Sequence, residues 1–229
     1  MKSLIVADGA LPERSQLDRV WPGWDAGAEL ILAADGGVRK ALALGLLPDL
    51  VLGDGDSLDR DTVRLLGELR IPCEPFPAEK DQSDLELCLD RALDHGATEL
   101  VVLAALGGRR VEHALANVLL LALPRLAGCS VVLGDGVSTV RLVGQQDGAG
   151  DLALYGEATD YVSLLPLEAE VEGVRTRGLR YALRDESLVL GPSRGLSNEL
   201  TDTTASVAVR RGRLLVVHTR RRVMEVTRS

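Results

Sequence analysis

Aromatic residues make up only 3% of the 229-residue chain, two Trp, three Tyr and one Phe. That leaves no set of rings on which successive nucleic-acid bases could stack. A formal net charge of −8 removes the basic stripe that binding to a phosphate backbone requires. Three cysteines, Cys73, Cys88 and Cys129, are scattered without Cys-x-x-Cys spacing, which excludes a disulfide framework and a thiolate zinc site. No apolar run approaches the ~20 residues that span a bilayer, and Leu4–Ala7 is too short for a signal-peptide core. These absences predict a cytoplasmic protein with neither nucleic acid nor membrane among its partners. Lysine is scarce as well: Lys2, Lys40 and Lys80 are the only lysines among 26 basic residues. Neither Gly-x-x-x-x-Gly-Lys-Ser/Thr nor Gly-x-Gly-x-x-Gly occurs, so both common loops that cradle nucleotide phosphates are missing.

What the chain does have is 46% hydrophobic residues, enough for one large domain or two modest ones. Up to about residue 135, short apolar runs at Leu4–Ala7, Leu30–Ala34, Leu50–Leu52, Leu100–Ala104 and Val131–Leu133 alternate with stretches of helical period. Val38–Leu44 ends at Gly45 and Leu85–Leu93 ends near Gly96, a glycine standing where each helix should stop. This is the rhythm of an α/β domain with a parallel, Rossmann-like sheet. Beyond it come short β-rich segments, Tyr161–Leu165, Arg180–Leu183, Leu188–Leu190, Ala205–Val209 and Leu214–His218, without convincing helices. They predict a smaller all-β sandwich. The change of rhythm falls between Gly136 and Gly150, giving expected domains of 1–140 and 141–229.

In an open parallel sheet, ligands bind beyond the carboxyl ends of the strands. Asp8, Asp35, Asp54, Asp56 and Asp135 all stand just after predicted strands. One such Asp is ordinary turn chemistry, whereas several on one edge suggest a cation site. Gly53-Asp54-Gly55-Asp56-Ser57 puts two carboxylates at alternate positions, a pattern that fits either a shared metal ion or an Asx-rich turn. Lys80-Asp81-Gln82-Ser83-Asp84-Leu85-Glu86 opens a helix. Ser83 and Glu86 match a capping box, while Lys80 offers a compact ammonium beside a helix start suited to phosphate. Gly107-Gly108-Arg109-Arg110-Val111-Glu112-His113 supplies arginines for phosphate contact and leads into a helix on which His113 and Asn117 share a face, with Leu115, Val118, Leu119 and Ala122 expected to pack inward. The alternatives are a Mg²⁺-dependent phosphohydrolase, in which water replaces the acceptor, and a non-catalytic nucleotide-binding module, which has no evident need for so many acids after its strands.

Taken in order, the motifs resemble the thiamine pyrophosphokinase family. Asp35-Gly36-Gly37, Gly45-Leu46-Leu47-Pro48-Asp49, Gly53-Asp54-Gly55-Asp56-Ser57 and Lys80-Asp81-Gln82-Ser83-Asp84 are similar to its elements in the first half. Val162-Ser163-Leu164-Leu165-Pro166-Leu167, Thr176-Arg177-Gly178-Leu179 and Gly195-Leu196-Ser197-Asn198-Glu199 resemble those in the second. The resemblance implies an enzyme that moves a pyrophosphoryl group from ATP to thiamine with Mg²⁺ as cofactor. It implies a metal held by Asp54, Asp56 and Asp84 beside Lys80, with Asp35, Gly36, Gly37, Lys80, Asp81, Ser83, Arg109 and Arg110 around the nucleotide. Glu112, His113, Asn117, Ser197 and Asn198 would meet thiamine, in a homodimer whose active sites lie at the subunit interface. One departure stands out. The family pattern Gly-Gly-Arg-x-Asp-His is one residue longer here and carries Glu112 in the Asp place, so either Arg109 or Arg110 takes the family arginine's position.

Overall fold

The computed structural model describes residues 1–77, 79, 81–108, 110–144 and 151–226. Lys80 and Arg109, both expected at the nucleotide, lie outside the described residues. The chain divides into two units, Met1–Gly136 and Val137–Ser229.

The first unit is a six-stranded parallel sheet. Its strands are β1 (Lys2–Val6), β2 (Ala28–Ala34), β3 (Leu50–Gly53), β4 (Cys73–Pro75), β5 (Glu99–Leu103) and β6 (Ser130–Gly134), in the order β6-β5-β1-β2-β3-β4. Leu4, Ile5, Leu32, Leu100 and Val102 are fully buried, which is why these strands read as continuous apolar runs rather than alternating ones. The helices are α1 (Arg14–Val20), α2 (Gly37–Ala43), α3 (Arg60–Leu69), α4 (Asp84–Asp94) and α5 (Val111–Leu119). Asp59 caps α3 by accepting from the Thr62 amide at 2.7 Å, and Ser83 caps α4 by accepting from the Glu86 amide at 3.2 Å. α4 packs on β1, β2 and β3. Two elements here have no clear signature in the sequence. β4 is a three-residue edge strand, Cys-Glu-Pro, with no apolar run, and α3 leaves Val63, Leu65 and Leu69 exposed.

The second unit holds two antiparallel sheets, consistent with the expected sandwich. In one, β12 (Asn198–Glu199), β9 (Tyr161–Pro166), β14 (Leu214–Thr219) and β7 (Ser138–Val143) pair in that order. In the other the order is β11 (Arg184–Val189), β10 (Glu170–Arg177), β13 (Thr204–Ala208) and β8 (Leu152–Tyr155). Val162, Leu164, Leu214 and Val216 of the first sheet share one core with Leu154, Val171, Val174, Leu188 and Val207 of the second. One expectation needs correction: Arg180–Leu183 is not a strand, and Arg180 and Tyr181 form a bend. After β14 the chain continues into a short helix, α6 (Arg221–Val226).

Asp160 anchors this end of the second unit. It is 3% exposed. Its Oδ2 lies 3.1 Å from His218 Nε2 and accepts from Arg220 at 3.0 Å and from the Glu157 amide at 2.9 Å, while Oδ1 accepts from the Arg221 amide at 3.0 Å. Gly156 leaves the space for this: a Cβ there would sit 2.6 Å from Asp160 Oδ2 and 2.8 Å from His218 Nε2.

Candidate active site

Three carboxylates converge at the carboxyl edge of the parallel sheet. One oxygen from each of Asp35, Asp54 and Asp84 lies within 4.8 Å of the others. Asp35 follows β2 directly and takes a left-handed backbone conformation, φ 43°, which Asp tolerates better than most side chains. Gly53 at the end of β3 makes room for it, since a Cβ there would lie 2.7 Å from Asp35 Cβ. Asp54 is the next residue, and Asp84 opens α4 after its Ser83 cap.

The electrostatics suit a cation. Asp35 is 5% exposed. Its Oδ2 accepts from the Ser57 amide at 3.2 Å, but its Oδ1 is buried with no hydrogen-bond partner among the described residues. A buried carboxylate oxygen without a donor is costly. Three carboxylates with one orphaned oxygen match the hard oxygen donors that a divalent ion of the Mg²⁺ type requires. Asp56 borders the cluster rather than joining it. Its carboxylate accepts from the Ser57 hydroxyl at 3.1 Å, and its amide donates to Asp54 Oδ1 at 3.1 Å, the Asx-turn geometry. The Ser57 hydroxyl pulls the Asp56 pKa down, but Asp54 and, more weakly, burial and Asp35 outweigh it and leave it raised.

The remaining candidates fall into distinct places. A Cβ on Gly37 would lie 2.1 Å from the Val6 carbonyl oxygen, and one on Gly36 2.7 Å from the Asp8 carboxylate. The glycine pair therefore lets the start of α2 lie on the end of β1. Asp81 and Ser83 are exposed beside the start of α4. Arg110 donates to Glu112 at 2.6 Å, which holds the Glu112 carboxyl below its usual range. His113 is exposed, and Asn117 donates to the Ala105 carbonyl at 3.0 Å, tying α5 to the loop after β5. Leu115 and Leu119 do not pack inward. Leu115 is 62% exposed, Leu119 and Val111 are exposed with it, and no residue of α5 is fully buried. These three stand at i, i+4 and i+8, one outward stripe.

In the second unit Ser197 is exposed with φ 56°, but Asn198 is only 7% exposed. Its amide nitrogen donates to the Tyr181 carbonyl at 2.8 Å, and its Oδ1 accepts from the Tyr181 amide at 3.0 Å and the Glu199 amide at 2.9 Å. That clamp is why Arg180–Leu183 cannot run as a strand: both main-chain groups of Tyr181 are bonded to a side chain. The Tyr181 ring is left 62% exposed, with the Arg180 guanidinium 5.5 Å from its centroid. Sequence reasoning missed Tyr181. The available signal was its place two residues after the Thr176–Leu179 motif, in a chain with six aromatic residues.

A cavity of about 350 Å³ lined by Met1, Lys2, Ala26, Gly27, Glu29, Thr98 and Glu99 lies at the amino ends of β1, β2 and β5. Ligands of parallel sheets bind at the opposite edge, where the three acids are.

Residues 24–133 match the family described as thiamin pyrophosphokinase, catalytic domain, and residues 151–214 match thiamin pyrophosphokinase, vitamin B1 binding domain. The chain is 26% identical over 190 residues to the thiamine pyrophosphokinase of Bacillus subtilis (strain 168), covering 82% of this chain and 86% of that one. The crystal structure of a B. subtilis thiamine pyrophosphokinase superposes with a TM-score of 0.82 at 23% identity, covering 96% of this chain and 99% of the other. The thiamin pyrophosphokinase structure from Geobacillus thermodenitrificans gives 0.78 at 26% identity, covering 96% and 97%. The thiamin pyrophosphokinase of Candida albicans shares the fold at 15% identity, with a TM-score of 0.76 over 95% and 88%. With its catalytic and vitamin-binding segments both matched, and with the three acids inside the first, the chain belongs to the thiamin pyrophosphokinase family.

Proposed function

We propose that this protein is the enzyme its family name describes, a thiamine diphosphokinase that transfers a pyrophosphoryl group from ATP to thiamine. The observation that carries this reading is the carboxylate cluster with its orphaned Asp35 oxygen, placed within the segment that matches the catalytic domain. Asp35, Asp54 and Asp84 supply oxygen donors for Mg²⁺, with Asp56 at the border able to add a fourth. An ion held there would supply positive charge to offset that of the ATP phosphates. Lys80 and either Arg109 or Arg110 offset the remaining phosphate charge, and Gly36, Gly37, Asp81 and Ser83 line the nucleotide. The thiamine hydroxyl attacks the β-phosphorus, a carboxylate takes the hydroxyl proton, and AMP leaves. The chemistry is one of positioning and charge neutralisation.

Thiamine contacts are assigned to Glu112 and His113 on the exposed first turn of α5, and to the segment around Ser197. Asn198 acts there through Tyr181, whose exposed ring offers an aromatic face to the thiamine rings. Incubation of the protein with ATP, Mg²⁺ and thiamine is expected to give thiamine diphosphate and AMP in equal amounts. AMP release that does not depend on thiamine would instead support a phosphohydrolase.

We further propose a homodimer with shared active sites, following the family resemblance. The outward stripe of Val111, Leu115 and Leu119 supports it, because an apolar helix face that size is usually covered. Subunit mixing tests the arrangement. Asp54→Asn and Tyr181→Ala proteins, each folded and inactive, are unfolded and refolded together. With random pairing, about a quarter of all sites should recover if each site draws its acids from one chain and its tyrosine from the partner. No recovery in mixed dimers would rule out sharing.

A further inference from the structure

Of the three clustered acids, Asp84 alone is carried by a helix. Asp35 and Asp54 follow β2 and β3, whose relative register is set by the parallel ladder that pairs Ala34 with Leu52. Helix α4 has no ladder to fix it, so the place of Asp84 depends on the side chains that hold the helix. Arg91 lies two turns beyond Asp84 on the same helix face. Its guanidinium makes a two-pronged pair with Glu74, NH1 to Oε2 at 2.5 Å and NH2 to Oε1 at 2.6 Å. Glu74 is the central residue of β4 and pairs in register with Leu52 of β3, two residues before Asp54. A short bonded path thus runs from Asp54 through β3, Glu74 and Arg91 to the helix that bears Asp84.

A fork-on-fork pair fixes direction as well as distance, which a single contact does not. The opposite side of α4 is held too. Glu86 and Asp90, one turn apart, both face Arg125, whose NH2 and Nε lie 2.7 Å from their carboxylates, and Gln82 donates to Asp90 at 2.9 Å. Leu85, Cys88, Leu89 and Ala92 pack the helix on the sheet, and Glu74 with Arg91 adds a directed contact between its Asp84 face and β4. The hydrogen bonds between them hold Glu74 below its usual pKa and raise that of Arg91, so both stay charged near neutrality. Both side chains are partly exposed.

We infer that Glu74 and Arg91 are positioning residues for the metal site, holding α4 at the separation from β3 at which Asp84 shares one ion with Asp35 and Asp54. The inference rests on the metal reading proposed above. Mn²⁺ titration of the full-length protein without nucleotide, followed by electron paramagnetic resonance, tests it apart from activity. Arg91→Ala and Glu74→Gln should each weaken Mn²⁺ binding about tenfold, the usual scale for groups that orient ligands, with a melting temperature close to that of the parent. The two losses should not add in the double variant, and Arg91→Lys should recover part of the affinity. Parent-like Mn²⁺ affinity in either single variant, or fully additive losses, would overturn the inference. If the parent protein binds no Mn²⁺, or Asp54→Asn binds it equally well, the metal reading itself fails and the inference falls with it.

Discussion

Asp54→Asn and Asp84→Asn are each expected to lower turnover by at least about 100-fold, and Asp56→Asn by less, while thermal stability changes little. The substitution keeps the shape of each side chain and removes one charge and one strong oxygen donor. Groups that merely orient metal ligands cost about 10–100-fold when removed, so loss of a ligand should cost more. Asp35→Asn separates two groupings of the acids. The sequence pattern places the metal among Asp54, Asp56 and Asp84, whereas the geometry draws Asp35 together with Asp54 and Asp84 and leaves Asp56 at the edge. If Asp35 is a ligand, its Asn variant should need more Mg²⁺ to reach half-maximal rate, with the thiamine KM unchanged. Steady-state kinetics at graded Mg²⁺ measure both. EDTA should abolish activity in the unmodified protein and Mg²⁺ should restore it. Near-parental turnover in all four variants would refute a metal site at this edge of the sheet.

Asp160→Asn should produce the largest loss of stability without touching the acids. Burial alone would raise the Asp160 carboxyl, but bonds with His218, the amides of Glu157 and Arg221, and Arg220 outweigh it and hold the pKa at about 2, against 3.8 for the free side chain. Because the folded value is the lower one, the group stabilises the fold fully above the unfolded pKa. That contribution, about 2–3 kcal/mol at 1.36 kcal/mol per pKa unit, fades as pH falls from about 4 toward 2. The Asn variant loses the charge at every pH and turns an NH2 group toward donors that now meet a carboxylate oxygen. Urea unfolding at pH 7 and pH 3 tests this: the gap between parent and variant should be wide at pH 7 and narrower at pH 3. An equal gap at both would mean that the carboxylate charge is not what stabilises this corner.

Several parts of the site were legible in the sequence because they depend on local rules. Buried parallel strands must be apolar on both faces, so β1, β2, β3, β5 and β6 announce themselves, and the acids that follow them mark the ligand edge. The Ser83 cap and the turn at Asp54–Ser57 follow from spacing alone, and the structure contains both. Helix α5 shows where this reasoning fails. Its residues have a convincing helical period, yet period does not say which face is covered, and Leu115 and Leu119 turn outward.

The sequence by itself determined the α/β unit, the β-rich unit after it, the ordered motifs that tie the chain to its family and the acidic character of the strand ends. These rest on periodicity, capping and composition, which act over a few residues. Tertiary structure alone decided which acids meet. Asp35 is 19 residues from Asp54 and 49 from Asp84 in the chain, and only the parallel pairing of β2 with β3, with α4 laid across them, brings the three within 4.8 Å. It also decided the part played by Asn198. A motif can name the residue, but its amide is consumed by both main-chain groups of a tyrosine 17 positions earlier, a bond between segments that are neighbours only once the sandwich has folded.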